Sequence, residues 1–148
     1  MKVYLDVCCL NRPFDDLAQD RIRLESEAVL TILNRGEIEN WIFLSSEVVD
    51  VEIARITNPE KRQRVGLLAT AAQVHIIVDE EIGKRATSLQ GMGLKAFDAL
   101  HVACAEKGNA DIFLTTDDDL LRKASQNREA LDVRVENPLK WLVEEIEK

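Results

Sequence analysis

Short strand-forming runs, each followed by a helix-patterned segment, constrain this chain more than any other feature. Val3-Tyr4-Leu5, Trp41-Ile42-Phe43-Leu44, Val74-His75-Ile76-Ile77-Val78 and Ile112-Phe113-Leu114-Thr115 are such runs. The first two are apolar enough for strands covered on both faces. Between them, the spacing of apolar residues predicts helices over 21–35, closed by Gly36 as a C-cap, and over 47–56, capped by Ser45 or Ser46. Further helices are predicted over 60–73, 79–90, 95–107, 117–127 and 138–148, with Val133-Arg134-Val135 as an edge strand. Asn11 to Asp16 reads as a loop broken by Pro13, and Gly91-Met92-Gly93 as a flexible joint. Strands that alternate with helices are joined by crossovers, which predicts an α/β fold with a central, mainly parallel sheet between helical layers.

At 148 residues the chain suits one domain, 1–148, able to bury about two-thirds of its unfolded surface. Apolar residues at 46% and charged residues at 31% exclude a disordered chain. No apolar run approaches the roughly 20 residues that span a bilayer, and the N-terminus enters a strand at once, so no membrane association and a cytoplasmic location are expected. Cys8, Cys9 and Cys104 are odd in number and two are adjacent, which predicts reduced thiols. With His75 and His101 they lack the paired spacing of a zinc site, adjacent Cys8 and Cys9 diverge on a strand that is expected to continue past Asp6, and nothing pairs a thiol with a base for nucleophilic catalysis. Gly91-Met92-Gly93 does not continue into a phosphate-binding loop.

The net charge of −8 counts against a general nucleic-acid binder, unless part of it is an acid cluster that divalent ions neutralise. Locally the balance reverses: Arg55, Lys61, Arg62 and Arg64 stand against Glu60 alone within residues 55–64. With Arg12 they read either as guides for an RNA backbone or as solvated faces with i,i+4 ion pairs.

The acids carry the chemistry. Asp6 ends the first strand, and in open parallel sheets ligands bind outside the carboxyl ends of the strands. Taken alone, an aspartate there is read more readily as the cap of the next turn; the later acids change that reading. Asp117 follows the strand at 112–115 just as Asp6 follows the first, which puts two acids on one rim. Glu52 and Asp98 fall inside predicted helices among apolar neighbours. A helical acid beside Phe97 and Leu100 must face solvent, pair with Lys95 or His101, or meet a metal. Four gathered carboxylates need compensation, and oxygen-rich sites favour Mg²⁺ or Mn²⁺, ions suited to in-line displacement at phosphorus.

Leu5-Asp6, Ser46 followed by Glu52-Ile53, Phe97-Asp98-Ala99-Leu100-His101-Val102-Ala103 and Leu114-Thr115-Thr116-Asp117-Asp118-Asp119-Leu120 together resemble the PIN domain family over most of the chain. The resemblance implies a three-layer α/β/α nuclease, often the RNA-cleaving toxin of a VapC-type toxin–antitoxin pair, with Mg²⁺ or Mn²⁺ as cofactor. It implies Asp6, Glu52, Asp98 and Asp117 as catalytic acids, with Asp6, Asp98 and Asp117 on metal and Asn11, Thr115 and Asp119 as auxiliary groups. RNA is the implied substrate, a cognate antitoxin the implied partner, and a homodimer the expected assembly. Many members carry Ser or Asn two places after the first acid; here that place holds Cys8, for which Asn11 is the candidate substitute. Asp117, Asp118 and Asp119 all compete for the fourth acid, with Asp117 nearest the strand end and Asp119 an alternative helix cap. The competing function is a non-catalytic PIN-like module that acts by binding a partner.

Overall fold

The computed structural model describes all residues, 1–148. Its centre is a five-stranded sheet in the order β3-β2-β1-β4-β5, every neighbouring pair parallel. The strands are β1 (Lys2–Leu5), β2 (Ile42–Ser46), β3 (Val74–Ile76), β4 (Ile112–Leu114) and β5 (Arg134–Glu136). Eight α-helices flank them: α1 (Val7–Asn11), α2 (Asp20–Glu39), α3 (Glu47–Ala54), α4 (Pro59–Ala69), α5 (Glu80–Gly91), α6 (Ala96–Lys107), α7 (Asp118–Gln126) and α8 (Pro138–Ile146). Crossovers carry the chain outward from β1 through β2 to β3, then back past β1 to β4 and β5.

Alternate side chains of each strand serve the two layers. Phe43 of β2 meets Gly36 of α2, and the Trp41 ring packs edge-on against Trp141 of α8 with centroids 5.5 Å apart. Tyr4 of β1 stacks on Phe113 of β4 and meets the His101 ring of α6 edge-on, so this face of the sheet looks toward α6. Val3, Tyr4, Phe113 and Leu114 are wholly buried, as strands covered on both faces require.

Two sequence expectations are corrected. The apolar stretch after Asp6 is helix rather than strand: α1 carries Cys8 and Cys9, and a 3₁₀ turn over Arg12–Phe14 replaces part of the expected loop. Asp6 starts it, its Oδ1 accepting the Val7 N–H at 2.8 Å. Gly36 is not the stop of α2, which runs on to Glu39 and ends on Asn40 in the left-handed conformation at φ 59°. A Cβ at Gly36 would stand 2.4 Å from the Phe43 ring, so the glycine serves helix–sheet packing rather than chain reversal. Ser46 is the cap of α3, accepting the Val49 N–H at 3.3 Å.

Candidate metal centre

The carboxyl ends of β1, β2 and β4 form the rim of the site, and the helices that start there bring in the rest. Asp6 leaves β1 and is 5% exposed. Its Oδ2 accepts the hydroxyl of Thr115, which follows β4, at 2.8 Å. Thr115 Oγ1 also accepts the Asp117 N–H at 3.1 Å, so one buried hydroxyl fixes both strand-end acids. Asp117, not Asp119, caps α7: its Oδ1 accepts the N–H groups of Asp119 at 2.9 Å and Leu120 at 3.2 Å. Arg21 holds the same loop from outside, with two 2.7 Å bonds to Asp118 and one of 3.2 Å to the Thr116 carbonyl.

Glu52 descends from α3 and Asp98 from the first turn of α6. Glu52 hydrogen-bonds His101 Nε2, and the same nitrogen lies 3.7 Å from Asp6 Oδ1. Potential ligand atoms of Asp6, Glu52 and His101 all lie within 4.8 Å of one another. Asp98 and Asp117 stand outside that tight group yet within electrostatic reach. Burial first, then the charges of Asp6 and Asp117, push the Asp98 carboxyl up to about 6, against the lowering effect of His101.

His101 is the residue that sequence reasoning missed as part of the site. The sequence offers it as a partner for Asp98, whereas the fold turns it to Glu52 and Asp6. Its ring is wholly buried, with Nδ1 2.7 Å from the Tyr4 hydroxyl, which is itself 2.7 Å from Ser46 Oγ. Burial pushes the imidazole pKa down, but the Glu52 hydrogen bond and the charges of Asp6, Glu52 and Asp98 outweigh it and leave the pKa raised. Tyr4 and Ser46 hydroxyls can each donate or accept, so the chain is satisfied whether Nδ1 carries a proton or not. The signal was the three-residue step from Asp98 to His101, which sets both on one side of α6.

The remaining residues fall into place around this centre. Cys8 Sγ lies 3.3 Å from Thr115 Oγ1 and accepts the Thr116 N–H at 3.3 Å, taking the position expected of a hydroxyl or amide. Asn11 ends α1 with Oδ1 shielded from solvent and unpartnered. Asp119 turns away to Lys123, Arg122 and Lys95. Among the basic residues, Arg12 binds Asp15 and Glu25, Lys61 binds Asp15 at 2.7 Å, and Arg64 binds Glu60 at 2.5 Å. Arg62 reaches the Ile56 carbonyl at 2.9 Å, and Arg55 lies 4.8 Å over the Phe97 ring beside the site.

Two strand-end carboxylates, two more from helices and a buried imidazole meet at the carboxyl rim of a parallel sheet, and three of them, Asp6, Glu52 and His101, are close enough together that they could hold a metal ion. The donor set would suit a divalent ion: burial and then the charges of Asp6 and Asp117 raise the Asp98 pKa, and a positive charge there would offset both. The chain belongs to the PIN domain family, whose profile matches residues 3–126. Among solved structures it is similar to a chain of VapBC2 from Rickettsia felis bound to a DNA fragment from their promoter, at 16% identity and a TM-score of 0.56, covering 93% of this chain and 98% of that one. It is also similar to a chain of VapBC-1 from nontypeable Haemophilus influenzae, at 18% identity, a TM-score of 0.56 and the same coverage. A toxin–antitoxin complex from Klebsiella pneumoniae matches at 17% identity and a TM-score of 0.53, over 92% of this chain and 97% of that one. At these identities the likeness is one of fold. No curated protein matches the sequence. No helix is long and apolar enough to cross a membrane.

Proposed function

We propose that this PIN domain is a metal-dependent ribonuclease, the toxin of a toxin–antitoxin pair. The observation that carries the reading is the gathering of Asp6, Glu52 and His101 within 4.8 Å, with Asp98 close enough for its pKa to rise. Asp6 and Asp98 would hold the principal Mg²⁺ or Mn²⁺, and Glu52 and Asp117 would complete the site. When bound, the ion supplies the Lewis acidity for attack of water on phosphorus. Thr115 fixes the Asp6 carboxylate, and Tyr4 with Ser46 orients the His101 imidazole. Protonated, His101 donates from Nδ1 to Tyr4 and from Nε2 to Glu52, offsetting part of the acid charge. The products are a 5′-phosphate and a 3′-hydroxyl, with no covalent enzyme intermediate. Arg55 and Arg62, which have no carboxylate partner among the ion pairs, are available to RNA phosphates. Likeness to chains of toxin–antitoxin complexes supports an antitoxin as partner; a homodimer and a cytoplasmic location belong to the same reading.

The test is cleavage of single-stranded RNA by the purified protein with Mn²⁺, Mg²⁺ or EDTA, beside Asp98→Asn and Asp6→Asn. Cutting that needs metal and is lost in both variants is expected, with the fold retained by circular dichroism. Absence of cutting together with absence of Mn²⁺ binding by calorimetry would leave the partner-binding module as the function.

A further inference from the structure

Arg55 and Arg62 give the acid centre two cations for a polyanion, while Arg12, Lys61 and Arg64 on the α1–α4 side are each held by carboxylates beside them. The opposite rim differs. There Asp119 is shared by three cations: Lys123 at 3.0 Å, Lys95 at 3.9 Å, and Arg122. Three positive groups around one carboxylate leave an uncompensated positive surface, in a chain whose net charge is −8. Its position is tied to the site by the backbone. Asp117 is the cap of α7, so Arg122 stands about 8 Å along the helix axis from an acid of the centre. Lys95 is the residue from which α6 springs, three before Asp98.

The positive surface continues. Arg122 also lines an open groove of about 830 Å³ between α7, β5 and α8, together with Arg128, Arg134 and Lys140. Arg134 is held by Glu144 at 2.6 Å and shares Glu136 with Lys140 at 3.5 and 3.4 Å, and Asp132 also lines the groove, while exposed Arg128 makes no ion pair. Within the groove it is Arg122 and Arg128, rather than the paired Arg134 and Lys140, that extend the run of cations beginning beside the acids.

We propose that this run, from Lys95 and Lys123 through Arg122 to Arg128 in the groove, is the track that binds the backbone of single-stranded RNA flanking the cut. The inference rests on the ribonuclease reading and deepens it. Phosphates are the ligands: they meet guanidinium and ammonium groups where the strand leaves the metal centre, and Asp119 holds those groups together when no RNA is bound. Asp119 thereby has a role without touching metal.

The test uses the full chain, a fluorescein-labelled single-stranded RNA and Mn²⁺, with steady-state cleavage followed over a range of salt concentrations. Arg122→Glu/Arg128→Glu places both changes on exposed side chains. Lys84→Glu, on the outer face of α5 with 78% of its side chain exposed, matches the sign of the change elsewhere. The double variant is expected to raise KM by about tenfold or more while kcat at saturation holds, and to make the salt dependence shallower by about 1.4 in log–log slope, two single-strand phosphate contacts at about 0.7 each. Lys84→Glu should leave both unchanged. Wild-type cleavage with an unaltered KM and slope in the double variant would overturn the track alone, and leave the groove to a protein partner. An equal loss in Lys84→Glu would also overturn it, by reducing the effect to net charge. A wild type that neither cuts nor binds the RNA would overturn the ribonuclease reading and the track with it.

Discussion

Asp98 shows at the scale of one residue how the centre is poised. Its carboxyl, lifted to about 6 by burial and by Asp6 and Asp117, holds a proton more tightly in the fold than the ordinary value of 3.8 in the unfolded chain. A raised acid pKa gives stability that is fully present below the unfolded value and is lost as pH rises through the folded one. In EDTA the wild type should therefore lose stability between about pH 4 and pH 7 relative to Asp98→Asn. At pH 7.5 the variant should be the more stable protein, by about 1 kcal/mol once partial exposure is allowed for. Denaturant melts of the two proteins at several pH values measure this; a variant no more stable at pH 7.5 would remove the electrostatic account. Asp6 and Asp117 were legible because each follows a strand, and Asp98 because Phe97 and Leu100 deny it an apolar-free setting. His101 was visible only as a neighbour. A lone sequence does not say whether an imidazole among apolar residues packs silently or points at carboxylates three elements away.

At the scale of elements, the alternation of strand and helix was readable and the ends were not, for physical reasons that differ from case to case. Val7 to Leu10 is an apolar run that follows a strand without a break, and its composition does not distinguish a continuing strand from a buried turn of helix. The Asp6 side chain decides it by capping α1. Gly36 looked like a stop because glycine commonly follows a helix, yet α2 passes through it and Asn40 supplies the left-handed residue instead. The reason for the glycine lies on another element, in the buried ring of Phe43. Gly36→Ala should therefore destabilise the protein by about 1–3 kcal/mol, despite the roughly 1 kcal/mol that alanine normally gains inside a helix. Urea unfolding would show it, and a stabilised Gly36→Ala protein would contradict the packing. Asn137 gives the opposite case, a legible boundary: it caps α8 just before Pro138.

Across the whole molecule, the parallel sheet sends β1, β2 and β4 to one rim and lets helices from different parts of the chain meet there, which is why acids scattered from position 6 to 117 share one site. The composition suggested an acidic protein; the fold gathers part of that charge at the rim, and Arg122 and Lys123 of α7 stand close to it around Asp119. Ser46, Tyr4, His101 and Glu52 have one more consequence for the molecule as a unit. Ser46 caps α3 and Glu52 belongs to it, so the backbone from one to the other and the hydrogen bonds from Ser46 through Tyr4 and His101 back to Glu52 make a closed circuit. A circuit transmits a break at any point to all the others. Ser46→Ala and Glu52→Gln should be coupled in a double-mutant cycle by about 0.5–3 kcal/mol, although the two residues do not touch, and simple additivity within about 0.5 kcal/mol would show the circuit to be open. With it closed, α3 has no free rotation about its own axis, and Glu52 keeps its aim at the centre while that centre carries no ion.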